Sequence, residues 1–220
     1  MMAYLFKVKQ IWKKKALYNE AFRINLILGL ILLVALFIFT SFYFSYIECL
    51  PRGTVLDDWV LRRLPARDVS TLIVLFEASV FILLLARVST NPVMFITFLF
   101  SSVLIYATRD LTIGITQLRA PVGLIELKDP IAGMVYRYGF VTRDLFYSGH
   151  IAFVFLIFLC DNNKIDRYYT LLACILIGFL LLVQHVHYMI DILAAPFFSF
   201  VCFWITKRIF RLQRIDPTEI

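Results

Sequence analysis

The chain has 220 residues, of which 61% are hydrophobic and 22 are phenylalanine. Soluble domains carry about 45–50% apolar residues, so this composition excludes an ordinary water-soluble fold. A formal charge of +7 would suit a nucleic-acid binder, but the basic residues gather at the two ends: Lys7, Lys9, Lys13, Lys14 and Lys15 at one, Lys207, Arg208, Arg211 and Arg214 at the other. Beside apolar runs, that placement fits anionic lipid headgroups and the positive-inside rule.

A helix that crosses a bilayer needs about 20 mostly apolar residues. In chain order, the candidate runs are Ile24–Ile47, Val69–Ala86, Pro92–Thr108, Tyr147–Ile165, Tyr168–Gln184 and Tyr188–Thr206. They predict an all-α polytopic membrane protein, a six-transmembrane-helix bundle over 24–206, with a basic segment at 1–23 and a basic tail at 207–220. The first run is too long for a signal-peptide core and has no small-residue cleavage site after it, so it reads as a retained span. The fourth run is the shortest. If it spans, the turn at Ser148–His150 lies at or below the membrane interface.

Six spans place both termini on one side, and the basic ends make that side cytoplasmic. The compact chain suits a bacterial inner membrane as well as a Golgi, reticulum or plasma membrane. The long segments Glu48–Asp68 and Arg109–Phe146 then lie on the opposite side. Gly114, Pro121, Gly123, Pro130, Gly133 and Gly139 break the second into irregular or short interfacial structure. Cys49, Cys160, Cys174 and Cys202 form no CxxC pair and read as packing residues.

With alternating spans, His150, His185, His187, Asp191 and Arg109 all gather on the non-cytoplasmic face. His187 and Asp191 are four residues apart, neighbours on a helix. Asp191 can then fix the tautomer of His187 and leave its other nitrogen free to attack. The competing role is a polar pair that only joins helices, although ionisable residues inside spans are costly and usually functional. Ser148-Gly149-His150 opens an apolar helix. Ser is a natural N-cap, and Gly lets an anion approach the backbone N–H groups. His150 would sit beside that anion and could protonate a leaving oxygen. Arg109 ends the third run and fits either a phosphate-binding fork or an interfacial snorkel. His185 and His187 could suggest a metal, but residues two apart on a helix diverge and no Glu or Cys completes a ligand set; no metal or other cofactor is expected. Glu77 reads as a bundle-interior residue with an Arg or hydroxyl partner and no assigned role.

These residues resemble the sphingomyelin synthases, a branch of the lipid phosphate phosphatase superfamily. The third motif of that family, C-G-D-x3-S-G-H-T, is matched at Asp144, Ser148, Gly149 and His150. The fourth, H-Y-x-x-D-V-x3-Y, is matched at His187, Tyr188 and Asp191, with Pro196 where the final Tyr stands. Tyr106, Arg109 and Thr116 fit the Y-x2-R-x6-T of the second motif, and Leu56-Asp57-Asp58 is a faint trace of the first. The arginine of the phosphatase motif S-R-x5-H-x3-D falls on Leu181, and K-x6-R-P is absent.

The resemblance implies that 24–206 is a catalytic domain with His150, His187 and Asp191 as its catalytic residues. Arg109, Asp144, Ser148, Gly149 and Tyr188 would bind substrate. The implied activity is transfer of phosphocholine or phosphoethanolamine from a glycerophospholipid to ceramide through a phospho-histidine. A lipid phosphatase or phospholipase C-like hydrolase on the same site, with water as acceptor, is the alternative. A non-enzymatic membrane protein with a relic site is the third reading. The implied partners are the lipid donor, its acceptor and the bilayer.

Overall fold

The structure is a computed structural model that describes residues 8–14, 19–50, 53–128 and 141–209. The basic residues Lys7, Lys15, Arg211 and Arg214, and the loop residues Pro130, Gly133 and Gly139, lie outside the described residues. Among those described, the bundle consists of α1 (Glu20–Glu48), α2 (Ser70–Thr90), α3 (Pro92–Thr116), α4 (Gly149–Cys160), α5 (Lys164–Val183) and α6 (Met189–Ile209). The chain is an all-α polytopic membrane protein.

Asparagines start three of these helices. Asn19 accepts from Phe22 N–H at 2.9 Å, Asn91 from Met94 N–H at 3.0 Å, and Asn163 from Ile165 N–H at 2.9 Å. Each supplies a partner to an N–H that the helix itself cannot satisfy. Pro92 at the first position of α3 costs nothing there, because its missing N–H would have had no partner in the helix. Apolar side chains then point outward in quantity, among them Ile31, Val34, Ile82, Ile175 and Phe197. In lipid that outward face is the solvated one.

Among the described residues, five helices are long and apolar enough to cross a membrane; α4, with 12 residues, is not. The sequence reading of six full spans is corrected on this point. At about 1.5 Å per residue, α4 is about 18 Å long, against a hydrocarbon core of about 30 Å. It is also the central helix, packed against α2, α3, α5 and α6, with Ala152, Val154 and Ile157 fully buried. Its far end is flush with its neighbours. Arg87 of α2 lies 4.0 Å from Asp161, just past α4, and pairs with Asp166 in the first turn of α5. The missing length therefore falls at the other end, where His150 sits.

Other boundaries also differ from the sequence reading: α1 and α5 begin at Glu20 and Lys164 rather than Ile24 and Tyr168, and α4 ends at Cys160 rather than Ile165. Arg109 does not end the third span: α3 continues to Thr116. The threonines of this stretch satisfy their hydroxyls within the helix, Thr108 on Leu104 O at 2.8 Å and Thr116 on Thr112 O at 2.9 Å. The fourth helix starts at Gly149 rather than Tyr147.

The segments over the His150 end form a cap. Arg119 N–H donates to Thr54 O at 2.9 Å, and Thr54 N–H to Gln117 O at 3.1 Å, joining the two long connections. Both are tied to the turn between α5 and α6. Gln184 donates to Ser70 Oγ at 2.8 Å and accepts from Val69 N–H at 3.2 Å, while its backbone carbonyl accepts from Ile125 N–H at 3.2 Å. Lys128 donates to Asp68 at 2.9 Å at the edge of the cap. That hydrogen bond, with those from Ser70, lowers the Asp68 carboxyl to about 2. A depressed carboxylate keeps its partner above the ordinary acid range and loses it only as pH falls through the lowered value.

Candidate active site

His187 is held in the turn immediately before α6, and not on the helix as the four-residue spacing suggested. Asp191 lies in the first turn and folds back. Its Oδ2 accepts from Tyr188 N–H at 3.0 Å, as a capping side chain does. The same oxygen lies 3.3 Å from His187 Nδ1. The pair thus forms by a cap and not by helical stacking. The Asp191 side chain is fully buried and that of His187 is 2% exposed.

His150 reaches the same place from the start of α4. Its ring centroid is 6.0 Å from that of His187, and the planes are tilted by 69°. With His187 Nδ1 turned to Asp191, Nε2 of that ring is the nitrogen left for chemistry.

Arg109 closes a third side. Its Nε donates to Tyr147 O at 2.9 Å and its Nη2 to the Asp144 carboxylate. Its guanidinium lies against Gly149: a Cβ added there would stand 2.8 Å from Arg109 Cζ. The requirement for glycine is thus explained by a cation that replaces the side chain, where the sequence reading had left that space for the anion itself. The two ideas meet in one geometry, because the guanidinium is brought to the helix start that an anion would seek. Tyr106, in the preceding turn of α3, presents its ring 5.8 Å from Arg109 Cζ.

Ser148 precedes α4 but makes no side-chain cap hydrogen bond, which corrects the sequence reading of an ordinary cap. Its backbone N–H donates to Asp191 O at 3.1 Å, so the starts of α4 and α6 are stitched together. Ser148 Oγ and Asp191 Oδ1 are buried without a hydrogen-bond partner among the described residues. Orphaned buried polar atoms are uncommon and call for a reason. A phosphoryl group between the two rings would offer acceptor oxygens to the serine hydroxyl.

Tyr188 is placed differently from the others. Its hydroxyl donates to Arg119 O at 2.9 Å and accepts from Leu56 N–H at 3.2 Å, which commits it to the cap. Asp58 accepts from Met189 N–H at 2.7 Å. The faint motif Leu56-Asp57-Asp58 is therefore the strip of the first connection that lies on the His187 turn. His185, whose left-handed backbone (φ 58°) ends the α5 turn, holds its ring nitrogens 2.8 Å from Val122 O and 2.9 Å from Leu64 O. The site residue that the sequence reading missed is Glu77 of α2, whose Oε1 is 3.9 Å from His150 Nε2. The available signal was a lone acid in an apolar span.

Residues 143–208 match the family model described as PAP2 superfamily C-terminal. The matched stretch contains both histidines, Ser148, Gly149 and Asp191. It supports an enzyme of the lipid phosphate phosphatase superfamily type, acting by phosphoryl transfer or hydrolysis on a lipid. Among curated proteins, no significant match to the chain is found.

Proposed function

We propose that this protein is a lipid headgroup phosphotransferase that moves phosphocholine or phosphoethanolamine from a glycerophospholipid to ceramide. The observation that carries the reading is the His150–His187 pair, two rings 6.0 Å apart, with a buried aspartate fixing one of them.

His187 Nε2 attacks phosphorus, and the P–N bond forms as the bond to the diacylglycerol oxygen breaks. His150 gives its proton to that oxygen. In the second half, His150 takes the proton of the acceptor hydroxyl, whose oxygen attacks phosphorus and releases His187. Arg109 and the N-terminus of α4 hold the equatorial oxygens, where the transition state spreads its charge. Ser148 and Asp144 complete that pocket, Ser148 through its orphaned hydroxyl and Asp144 by steadying Arg109. Tyr188 serves substrate binding through the cap it anchors.

Depth and burial favour a lipid acceptor over water. A short α4 sets the rings about 10 Å below the face of a core of about 30 Å, and His187 is almost wholly shielded. That is where a ceramide hydroxyl can arrive laterally and bulk water is scarce. We place the termini on the cytoplasmic side. The cations Lys207 and Arg208 lie over Phe203 and Trp204 at 4.8 and 5.2 Å, at the end of α6 remote from the histidines, an interfacial pairing on the expected positive side.

The test uses purified full-length protein in vesicles with headgroup-labelled phosphatidylcholine or phosphatidylethanolamine and ceramide. The expected result is diacylglycerol and a labelled phosphosphingolipid from at least one donor. Absence of diacylglycerol with both donors contradicts the proposal. Phosphate release from phosphatidic acid without transfer to ceramide selects the hydrolase.

A further inference from the structure

Glu77 is the only acidic residue of α2 and the only charged residue from Thr71 to Ala86. Seven residues below Ser70, it lies about 10 Å into the bundle. Its side chain is 16% exposed and that of His150 is 20% exposed, with Oε1 3.9 Å from Nε2. An acid placed this deep in a span is costly to ionise unless a cation answers it, and the His150 imidazole, 3.9 Å away, is able to carry one.

The other charges around His150 make the need for an anion specific. From α3 comes the Arg109 guanidinium, packed on Gly149 one residue away. From the turn before α6 comes His187, whose charge partner Asp191 is turned to Nδ1. Asp144 is engaged by Arg109. The charged residues of α5, Lys164, Asp166 and Arg167, sit in its first turn at the opposite end of the bundle. A protonated His150 would thus face a guanidinium on one side, and Glu77 is the carboxylate placed to balance it.

We propose that Glu77 is the positioning residue of the proton donor, holding His150 as an imidazolium aimed at the leaving oxygen. This inference rests on the two-histidine reading above. The separation matters. At 3.9 Å the carboxylate stabilises the charge without a hydrogen bond that would retain the proton, so the Nε2 proton remains deliverable. When the phosphorus–oxygen bond of the donor breaks, that proton passes to the diacylglycerol oxygen, and it returns to His150 from the acceptor hydroxyl. Glu77 stays a carboxylate throughout and never touches substrate.

A role through the proton donor has a signature that a packing role lacks: it depends on the leaving group. Diacylglycerol leaves as an alcohol and needs the proton, whereas nitrophenolate does not. The experiment compares wild type and Glu77→Gln, both full length in detergent, on phosphatidylcholine and on p-nitrophenyl phosphorylcholine, following the first-turnover burst of each leaving group. A positioned general acid contributes about 10²–10⁴-fold. Glu77→Gln is expected to slow diacylglycerol release by ~10²-fold, the lower end of that range, with KM little changed and nitrophenolate release within about three-fold of wild type. Equal loss on both substrates, or no loss on either, overturns the proposal. If Glu77→Gln does not accumulate as folded protein, Glu77→Asp, one methylene shorter, is read by the same ratio. A wild type inactive on phosphatidylcholine, on phosphatidylethanolamine and on the nitrophenyl ester defeats the two-histidine reading itself, a result distinct from either outcome in the variant.

Discussion

Helices α1 and α4 are opposites in one molecule. The first has 29 residues, packs mainly on α3, and buries only Phe22, Gly29, Thr40, Phe44 and Ile47. The other has 12 residues, touches four helices, and has most of its side chains buried or partly buried. Length in α1 answers to the bilayer, which requires a long apolar rod with its backbone bonds satisfied internally. Length in α4 answers to the site. It stops short so that Ser148, Gly149 and His150 stand inside the bundle, where the starts of α4 and α6 meet. Substitutions in α1 should accordingly affect assembly, and those at the start of α4 should affect chemistry.

The largest separation should come from His187→Ala, measured against any conservative change on the outer face of α1. Loss of the nucleophile is expected to lower headgroup release by more than ~10³-fold while the protein still accumulates folded in detergent. A variant that retains a tenth of wild-type activity would erase the contrast. Next comes a matched pair of glycines. Gly149→Ala would place its Cβ 2.8 Å from Arg109 Cζ, whereas Gly29→Ala would place one 2.7 Å from Leu99 Cδ2, the far end of a flexible side chain. Displacing the guanidinium by an ångström should cost about 10²-fold in activity, while Gly29→Ala should leave activity within a factor of two or so, since its neighbour can rotate away. Equal effects in the two glycines would show that the site does not depend on Arg109.

A smaller effect is expected in the cap. Tyr188→Phe removes the hydroxyl shared by Arg119 O and Leu56 N–H, at a cost of about 1–3 kcal/mol. The expected readout is faster proteolysis of the connections near Leu56 and Arg119 and a lowered melting temperature. Unchanged protease resistance would remove the anchoring role. The smallest effect is assigned to Thr40→Val, which breaks the 2.7 Å hydrogen bond from Thr40 to Asp110 between α1 and α3. Such bonds within membranes average about 0.6 kcal/mol, so α1 should dock slightly less firmly, with headgroup release unchanged.

Most of the bundle was legible in the sequence because an apolar run of membrane length has few other destinations. Asn19 and Asn163 start α1 and α5 four residues before the apolar runs do, a local rule that hydropathy alone passes over. What was misread was local polarity with a non-local answer. Thr108 and Arg109 were read as the exit of a span, yet the helix runs on, Thr112 finds the Phe146 carbonyl at 2.9 Å, and Arg109 the Tyr147 carbonyl, on a segment more than thirty residues later. The His187–Asp191 spacing pointed to the right partners by the wrong geometry, since both a helical stack and a first-turn cap bring residues four apart together. Glu77 and His185 carried no local pattern that named their partners. One acquires its neighbour across 73 residues of chain, and the other bridges Leu64 and Val122. Such relations exist only after the helices have packed.

The central claim is a covalent bond between phosphorus and His187, and it can be caught directly. Full-length protein is mixed with headgroup-labelled phosphatidylcholine, quenched in alkali, where a phosphorus–nitrogen bond survives, and mapped by peptide mass spectrometry. The account predicts label on the peptide that contains His187, lost on acid treatment and absent from His187→Ala. Diacylglycerol release with no labelled protein, or label on any other residue, would contradict it.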